Sequence, residues 1–440
     1  MKIFFNNSGT NKKEEFIPID ESNIKLYVCG PTVYDRAHLG NARSSVAFDV
    51  LFRVLKSSYE NVTYVRNITD VDDKILNKSN DTGLSINSIT NQMINFFHKD
   101  LEYLSCLKPT YEPRATETIS EMIEMIKKLI ERSHAYISNG HVYFDVKSFQ
   151  NYGELSNRNI EKLNSGARIE VSEYKKDPLD FVLWKPAKSH EKMSFESPWG
   201  NGRPGWHIEC SAMSKKYLGD EFDIHGGGAD LIFPHHENEV AQSKCESENN
   251  KFAKYWIHNG FLTINGEKMS KSAGNFTTVN DLVEKDIDGS VLRYFYLTTH
   301  YRKPLDYNQK ALNDAKKSIE KFRNTLQKSK IANVKVPKEF LVYLYDDLNT
   351  PLALSYLHKL SDDNKVDELI ACCDFLGLKI NMKDECGIDN NIKILAEERM
   401  ALKEKKLWEE SDKKRQEISD LGYDILDTKE GYKILKKSPM

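Results

Sequence analysis

Long apolar stretches are missing from this chain, and so is the basic, apolar and small-residue pattern of a secretory signal. We therefore expect a cytoplasmic protein without membrane contacts. Its 440 residues include seven scattered cysteines, an odd number that argues against a disulfide framework and favours metal-binding or structural thiols. An excess of positive charge is missing too, because 63 Lys and Arg face 66 Asp and Glu. A nucleic acid would therefore need local basic patches.

Apolar residues make up 39% of the chain and charged residues 29%, as in globular proteins. Residues 24–28 are β-prone, apolar residues recur at helical spacing over 39–56, and 62–68 are extended, which indicates a βαβ beginning. Strand and glycine signals return at 222–230, after a stretch that has the character of an insertion. We predict an α/β fold with a split Rossmann-like nucleotide-binding catalytic domain, an inserted connective region and an all-helical C-terminal region.

The turn from Cys29 to Asn41 joins the first strand to the first helix. The N–H groups and dipole of a helix N-terminus favour phosphate, and His38 can add a donor in the first turn. Gly30 and Gly40 allow close approach of the backbone. This predicts a phosphate site, with an ordinary Gly/Pro turn and a surface histidine as the alternative.

A polar loop, Lys268-Met269-Ser270-Lys271-Ser272, offers two ammonium groups between Gly266 and Gly274. Such lysines can stabilise the charge that builds on a departing pyrophosphate, although a solvated Lys/Ser loop has the same composition. Together with His38-x-Gly40, the loop resembles the two signature sequences of class I aminoacyl-tRNA synthetases. Asn41 stands where the second histidine of the first signature falls.

A metal site is the third candidate. His235 and Glu239 are four residues apart and share one face of a helix, and Cys29 and Cys210 supply thiolates from other loops. Two sulfurs, one imidazole and one carboxylate suit Zn²⁺. Spacing alone leaves open a plain surface pair on the helix, and the His-Glu-x-x-His pattern of a metalloprotease is missing.

Similarity to one family covers essentially the whole chain. The motifs resemble those of cysteinyl-tRNA synthetases, in the same order, at residues 29–44, 67–75, 202–213, 225–231, 233–239, 268–272, 294–307 and 347–351. The resemblance implies ATP-dependent activation of L-cysteine and its transfer to the terminal ribose of tRNA(Cys). It also implies a zinc ion, one per chain, bound by Cys29, Cys210, His235 and Glu239.

Further site residues follow from chemistry and from this resemblance. His38, Lys268 and Lys271 are expected to be catalytic. ATP, carrying Mg²⁺, is expected to contact His38, Asn41, Gly227, Gly228, Asp230 and Lys271. The cysteine substrate is expected to contact Gly30, Thr69, Trp206 and His225. Serine differs from cysteine by one atom, and packing alone discriminates by only about 1–3 kcal/mol, so selection through a zinc-bound sulfur is the hypothesis.

The same resemblance predicts the domains and the tRNA contacts. The expected boundaries are 1–115 and 201–262 for the two catalytic halves, 116–200 for the insertion, 263–305 for the signature loop, 306–380 for a helical bundle and 381–440 for anticodon recognition. Trp408, Asp412, Arg415 and Asp427 match the anticodon-reading segment, although Gly431-Tyr432-Lys433-Ile434 replaces a usual tryptophan. A fragment ending at Phe340 is expected to activate cysteine without charging tRNA. We expect a monomer.

Three other functions stay open. A related ligase joins cysteine to an amino sugar and shares the zinc and both signatures, but the helical C-terminal region with Trp408 argues against it. A non-catalytic relative should have lost His38, a metal ligand or Lys271, and none is lost. A zinc hydrolase is disfavoured by the lysine loop.

Overall fold

Four parallel strands form the sheet on which the larger part of the chain is built. Their order across the sheet is Ala253–Asn259, Phe222–Gly228, Ile24–Val28 and Val62–Arg66. The two inner strands come from distant parts of the sequence and pair directly, with Tyr27 opposite His225. The sheet is therefore assembled from two halves of the chain, which confirms the predicted split α/β fold.

The computed structural model describes residues 1–158, 173–188, 191–269, 274–326, 334–380, 390–405, 407–428 and 431–436. The chain divides into two compact units, Met1–Ile380 and Asn381–Met440. Each unit contains a hydrophobic cluster of its own. No described helix is both long and apolar enough to cross a membrane.

The helix Leu39–Ser58 connects the first two parallel strands. The residues that set its predicted period, Val46, Val50, Leu51 and Val54, are all buried in the core. The other helices of the first half are Asp73–Thr82, Ile86–Tyr103 and Ile119–Glu131. An antiparallel hairpin, Phe4–Asn7 with Lys12–Glu15, precedes them.

An antiparallel sheet separates the two halves of the parallel sheet. Its strands, in order, are Ala135–Ser138, His141–Phe144, Phe181–Pro186 and Gly202–Pro204. Helix Trp206–Leu218 then leads into strand Phe222–Gly228, and helix Glu237–Glu246 follows that strand. The last strand of the antiparallel sheet is thus followed at once by the helix that contains Cys210.

Helices dominate the remainder of the first unit. A small sheet of Glu267–Lys268, Leu262–Ile264 and Leu305–Tyr307 follows the parallel sheet. The helices are Val279–Val283, Gly289–Leu297, Gln309–Leu326, Lys338–Tyr345, Thr350–Asp362 and Val366–Phe375. Buried residues from these helices, such as Phe322, Phe340 and Leu357, share one core cluster with Val46 and Val50.

The second unit contains helices Asn390–Glu404 and Trp408–Asp420, which confirms the helical prediction for that stretch. The helical character does not extend to the last residues, because Tyr423–Thr428 and Gly431–Lys436 pair as an antiparallel hairpin. Gly422, with φ of 87°, follows the end of the second helix. Beyond it, Tyr423 and Ile425 alternate with polar residues, which is the period of a strand.

Asp100 is a buried carboxylate on helix Ile86–Tyr103. It is 5% exposed, and its Oδ2 accepts no hydrogen bond from the part of the chain that the structure describes. Burial raises its pKa to about 6, against a weaker opposing effect of Arg36. An unfolded aspartate ionises near pH 3.9, so between about pH 4 and 6 the folded protein retains a proton that the unfolded chain releases. Stability therefore falls as the pH rises through this window.

We predict that Asp100→Asn removes this decrease of stability with rising pH. The variant should gain about 1 kcal/mol of unfolding free energy relative to the parent at pH 7, after allowance for screening, and nothing at pH 4. Urea unfolding at the two pH values measures the difference. Asp81→Asn, at an exposed carboxyl, is the control, and an equal gain at both pH values for Asp100→Asn would refute the assignment.

Candidate functional site

His38 caps the helix that begins at Leu39. Its Nδ1 accepts hydrogen bonds from the backbone N–H groups of Gly40 (3.1 Å) and Asn41 (3.2 Å), and Asn41 Oδ1 accepts from the His38 backbone N–H (3.2 Å). The predicted helix start is confirmed. The N–H groups of Gly40 and Asn41, at the helix end where a phosphate was expected, thus donate to His38 Nδ1 in this structure. With Nδ1 as acceptor, the neutral ring has its proton on Nε2, which is then the donor.

The lysine loop starts and ends beside this turn. Lys268 lies on an exposed strand opposite Thr263, while Ser270, Lys271 and Ser272 fall outside the described residues. A Cβ built on Gly40 would lie 3.7 Å from Met269 Cε. After the loop, Thr277 O accepts from the Leu39 backbone N–H at 3.0 Å. The described residues Met269 and Thr277, on either side of residues 270–273, thus lie beside the first signature.

Cys29, Cys210, His235 and Glu239 converge on one point. Each offers one ligand atom, and these atoms all lie within 4.8 Å of one another. Cys29 Sγ lies 3.6 Å from Cys210 Sγ and 3.4 Å from Glu239 Oε1, and His235 Nε2 lies 3.1 Å from Glu239 Oε1. Ligands of a tetrahedral zinc ion lie roughly 3.3–3.8 Å apart, so the spacing fits such an ion.

The pKa values of three of these four residues are shifted in the direction that favours their charged forms. Burial alone would raise the pKa of Glu239, but His225 and His235 hold it well below its usual range. A hydrogen bond from Cys29 lowers the pKa of Cys210 to about 6, whereas burial raises the pKa of Cys29. Burial would lower the pKa of His235, yet Glu239 and Cys210 raise it to about 10. A buried carboxylate and a buried thiolate need a cation beside them, and without a metal ion the protonated ring of His235 supplies it.

His225 and His236 form a second set of potential ligands with Cys29 and Glu239. His225, expected from the sequence to contact the substrate, lies with its Nε2 3.4 Å from Glu239 Oε2 and 3.6 Å from Cys29 Sγ. His236 was not predicted; its ring meets His225 edge-on at 4.7 Å. Its position directly after His235 was the only signal. The first set has two sulfurs and the second has one, so donor chemistry favours the first for zinc.

The rings of Trp206 and His207 both pack against the ring of His235. The Trp206 ring centroid lies 4.2 Å from that of His235, and the indole is 42% exposed. His207 Nδ1 lies 3.0 Å from His235 Nδ1, a contact that leaves His235 Nε2 directed at Glu239. A cavity of about 280 Å³ opens beside Trp206 and is also lined by Glu209. None of the four predicted ligands lines this cavity, which reaches them only through their neighbours Trp206, His207 and Glu209.

Gly30 and Thr69, expected to contact the substrate, each form a hydrogen bond with a polar residue next to the cysteines. The Gly30 backbone N–H donates to Asn67 Oδ1 at 2.9 Å, and a side chain on Gly30 would collide with Asn67 O. Thr69 Oγ1 donates to Glu209 Oε2 at 2.9 Å. The sequence had given no role to Glu209 or Asn67, because nothing in their spacing marks the contact. Thr69 is buried, and its hydroxyl already has a partner.

The three glycines 226–228 end the strand Phe222–Gly228, where the backbone passes close to other groups. A Cβ on Gly227 would lie 2.8 Å from the His236 ring, and one on Gly228 would lie 2.4 Å from Asp230 Oδ1. Asp230 therefore lies against the end of the strand. Packing restricts residue 227 to glycine through the ring of His236, whereas at residue 228 the Asp230 side chain can move aside.

Gly226 provides a direct test of this packing. A Cβ at this position would lie 2.2 Å from Phe48 Cε1. We predict that Gly226→Ala costs about 1–3 kcal/mol of unfolding free energy, measured by urea denaturation. If the Phe48 ring is the cause, the same change should cost much less in a Phe48→Leu background. An equal cost in both backgrounds would refute this explanation.

The residues predicted to contact tRNA lie in the second unit. Trp408, Asp412 and Arg415 are exposed on one face of helix Trp408–Asp420. Asp427 differs, because its carboxylate accepts from Arg399 Nη1 (2.8 Å) and Nη2 (3.1 Å) and pairs with Lys403 (2.8 Å). These pairs lower its pKa. Asp427 thus joins the hairpin to the first helix of its own unit.

Comparison with known proteins gives concordant matches. Residues 15–317 match the family model "tRNA synthetases class I (C) catalytic domain". The chain is 50% identical to a cysteine--tRNA ligase of Rickettsia bellii over 99% of this chain and 100% of that protein, and 50% identical to one of Rickettsia prowazekii over 98% of each. A methionyl-tRNA synthetase from Mycobacterium tuberculosis shares the fold at 14% identity, with a TM-score of 0.55 over 81% of this chain and 89% of that one.

Proposed function

The chain belongs to the cysteine--tRNA ligase family of class I tRNA synthetases, and we propose that its four converging ligands hold a zinc ion that selects the substrate by its sulfur. The substrates of the family reaction are the amino acid, ATP and tRNA. The observation that carries the proposal is the convergence of Cys29, Cys210, His235 and Glu239 within 4.8 Å. Glu239 Oε2 is buried, accepts no hydrogen bond from the described residues and lies 3.4 Å from His225 Nε2, so it does not distinguish this set from the second.

The donor set explains the choice of metal. Two thiolates, an imidazole and a carboxylate suit Zn²⁺ better than Mg²⁺ or Ca²⁺, which prefer oxygen. Bound there, zinc would supply a Lewis-acidic centre that takes a thiolate readily and an alcohol poorly. His207 holds the ring of His235 through the nitrogen that does not face Glu239, which fixes the orientation of this ligand.

In the activation step, the chain's own residues bind and orient ATP and the amino acid. The carboxylate of cysteine is already ionised, so it attacks the α-phosphorus without a general base, and pyrophosphate departs with the electrons of the broken P–O bond. The Nε2–H of His38, together with Lys268 and Lys271, would donate to the phosphates where charge develops. Gly227, Gly228 and Asp230 would contact the adenosine, and Mg²⁺ would arrive with ATP.

Gly30, Thr69 and Trp206 are proposed to surround the cysteine. The Trp206 ring lies tilted against that of His235, with the centroids 4.2 Å apart, and it lines the cavity beside His207, so it can cover the substrate side chain. Transfer of the cysteinyl group to the ribose hydroxyl at the end of tRNA then releases AMP. Trp408, Asp412 and Arg415, on one exposed helix face, would contact the anticodon region.

One experiment separates this function from its rivals. The purified protein should catalyse cysteine-dependent ATP–pyrophosphate exchange and then transfer cysteine to tRNA. Transfer to an amino sugar in place of tRNA would assign it to the related small-molecule ligase, against which the second unit with its exposed Trp408 argues. Absence of cysteine-dependent exchange in zinc-loaded protein would overturn the proposal.

A further inference from the structure

Arg43 lies in the second turn of the helix that His38 caps, and its side chain is buried. Among the residues that the structure describes, no carboxylate pairs with it. The guanidinium donates instead to four backbone carbonyls: Nη1 to those of Gly260 (2.9 Å) and Phe261, and Nη2 to those of Tyr301 (3.4 Å) and Lys303. Burial lowers the pKa of Arg43 to about 10, so it stays charged at neutral pH.

These carbonyls belong to the segments that lead into the other two strands of the small sheet that contains Glu267–Lys268, which we call the lysine strand. Gly260 and Phe261 immediately precede strand Leu262–Ile264, whose antiparallel partner is Glu267–Lys268. Tyr301 and Lys303 precede strand Leu305–Tyr307, which pairs in parallel with the other edge of Leu262–Ile264. The segments also touch directly, because the Gly260 N–H donates to Tyr301 O at 2.8 Å. Arg43 therefore joins both supports of the lysine strand to one helix.

The far end of the lysine loop is attached to the same helix. The Leu39 backbone N–H donates to Thr277 O at 3.0 Å, and His38 pairs with Thr278 in a β-bridge. Leu39 and Arg43 are four residues apart, and so lie one above the other on the helix. The chain before the loop and the chain after it are thus both attached to the helix Leu39–Ser58.

We propose that Arg43 is a positioning residue for the activation step: it fixes the lysine strand at the distance from His38 that the phosphates of ATP require. This inference rests on the proposed function, because it gives His38 and Lys268 their role. Only the planar fork of an arginine can donate to four carbonyls at once, and a lysine ammonium cannot reproduce that geometry. A displacement of about 1 Å at a reacting group can cost about 100-fold in rate.

The test is ATP–pyrophosphate exchange by the zinc-loaded, full-length protein with Arg43→Lys and, separately, Arg43→Gln. We expect kcat/KM for ATP to fall about 10- to 100-fold, while KM for cysteine and the zinc content stay within about twofold. Combining Arg43→Lys with Lys268→Ala should lower kcat by no more than about threefold beyond Lys268→Ala alone, because the two residues act through one strand.

Arg293→Lys is the matched control. Arg293 is also fully buried and donates to a backbone carbonyl, that of Leu104, at 2.8 Å, but it pairs with Asp49 and not with the supports of the lysine strand. This variant should lose stability and keep the kcat/KM for ATP. An Arg43→Lys variant that behaves like Arg293→Lys would overturn the inference, and so would additive effects with Lys268→Ala or failure of both Arg43 variants to fold. A parent protein inactive in exchange would instead refute the proposed function.

Discussion

Replacing Cys210 by serine is expected to lower cysteine-dependent ATP–pyrophosphate exchange at least about 100-fold, together with the loss of bound zinc. The thiol of Cys210 is buried, lies 3.6 Å from Cys29 Sγ and has a lowered pKa, as suits a metal ligand. A serine hydroxyl ionises far less readily and is a harder donor, so it does not replace a thiolate on zinc.

The same substitution should also reduce discrimination against serine as substrate. Without a metal-bound sulfur, the pocket distinguishes cysteine from serine by packing alone, which is worth about 10- to 200-fold. Exchange assays with each amino acid, beside metal analysis of the same samples, give both quantities. Removal of the metal from the parent protein with a chelator should reproduce both effects, and added Zn²⁺ should reverse them.

Cys245→Ser is the matched control for this prediction. Cys245 is a buried cysteine on helix Glu237–Glu246, the helix that contains Glu239, but it is not among the converging ligands. We expect this variant to keep its zinc and its preference for cysteine. A Cys210→Ser protein with full zinc and normal selectivity would show that the metal, if any, binds elsewhere.

The sequence alone predicted those features that a short stretch of residues determines, or that a distinctive set of residue types reveals. The strand Ile24–Val28 and the helix that starts after His38 follow from β-propensity and apolar spacing, and both agree with the structure. Convergence of Cys29 and Cys210 depends on the pairing of strands Ile24–Val28 and Phe222–Gly228, which no local pattern encodes. The family resemblance supplied that link.

Contacts to the backbone were beyond the reach of sequence patterns. Arg43 binds carbonyl groups, which every residue has, so no partner residue type reveals the contact. His38 was expected to donate to a phosphate, and the sequence did not predict that its Nδ1 caps its own helix. The final hairpin was missed because charged residues remain frequent after Gly422, as they are in the helices before it, and the alternation of apolar and polar residues was the signal for a strand.

A fragment that ends at Ile380 is expected to keep cysteine-dependent exchange within about threefold of the parent and to lose tRNA charging by at least about 100-fold. The hydrophobic core that supports the parallel sheet includes residues up to Ile380, whereas the second unit packs around Ile392, Ala396, Ile418 and Ile425. Removal of the second unit therefore leaves the first core intact. It also removes the exposed face of Trp408, Asp412 and Arg415, where base stacking and phosphate contacts would be lost together.

The position of the cut decides the outcome of this truncation. A fragment ending at Phe340 was expected to stay active, but Phe340 is fully buried and shares its core cluster with Leu357 and Leu369, which that fragment lacks. We therefore place the cut at Ile380. Trp408→Ala in the full chain is the control: it should lower charging roughly 5- to 150-fold, as for loss of one base stack, and leave exchange unchanged. Normal charging by the Ile380 fragment would show that the first unit recognises tRNA alone. Loss of exchange in a folded Ile380 fragment would mean that activation itself depends on the second unit.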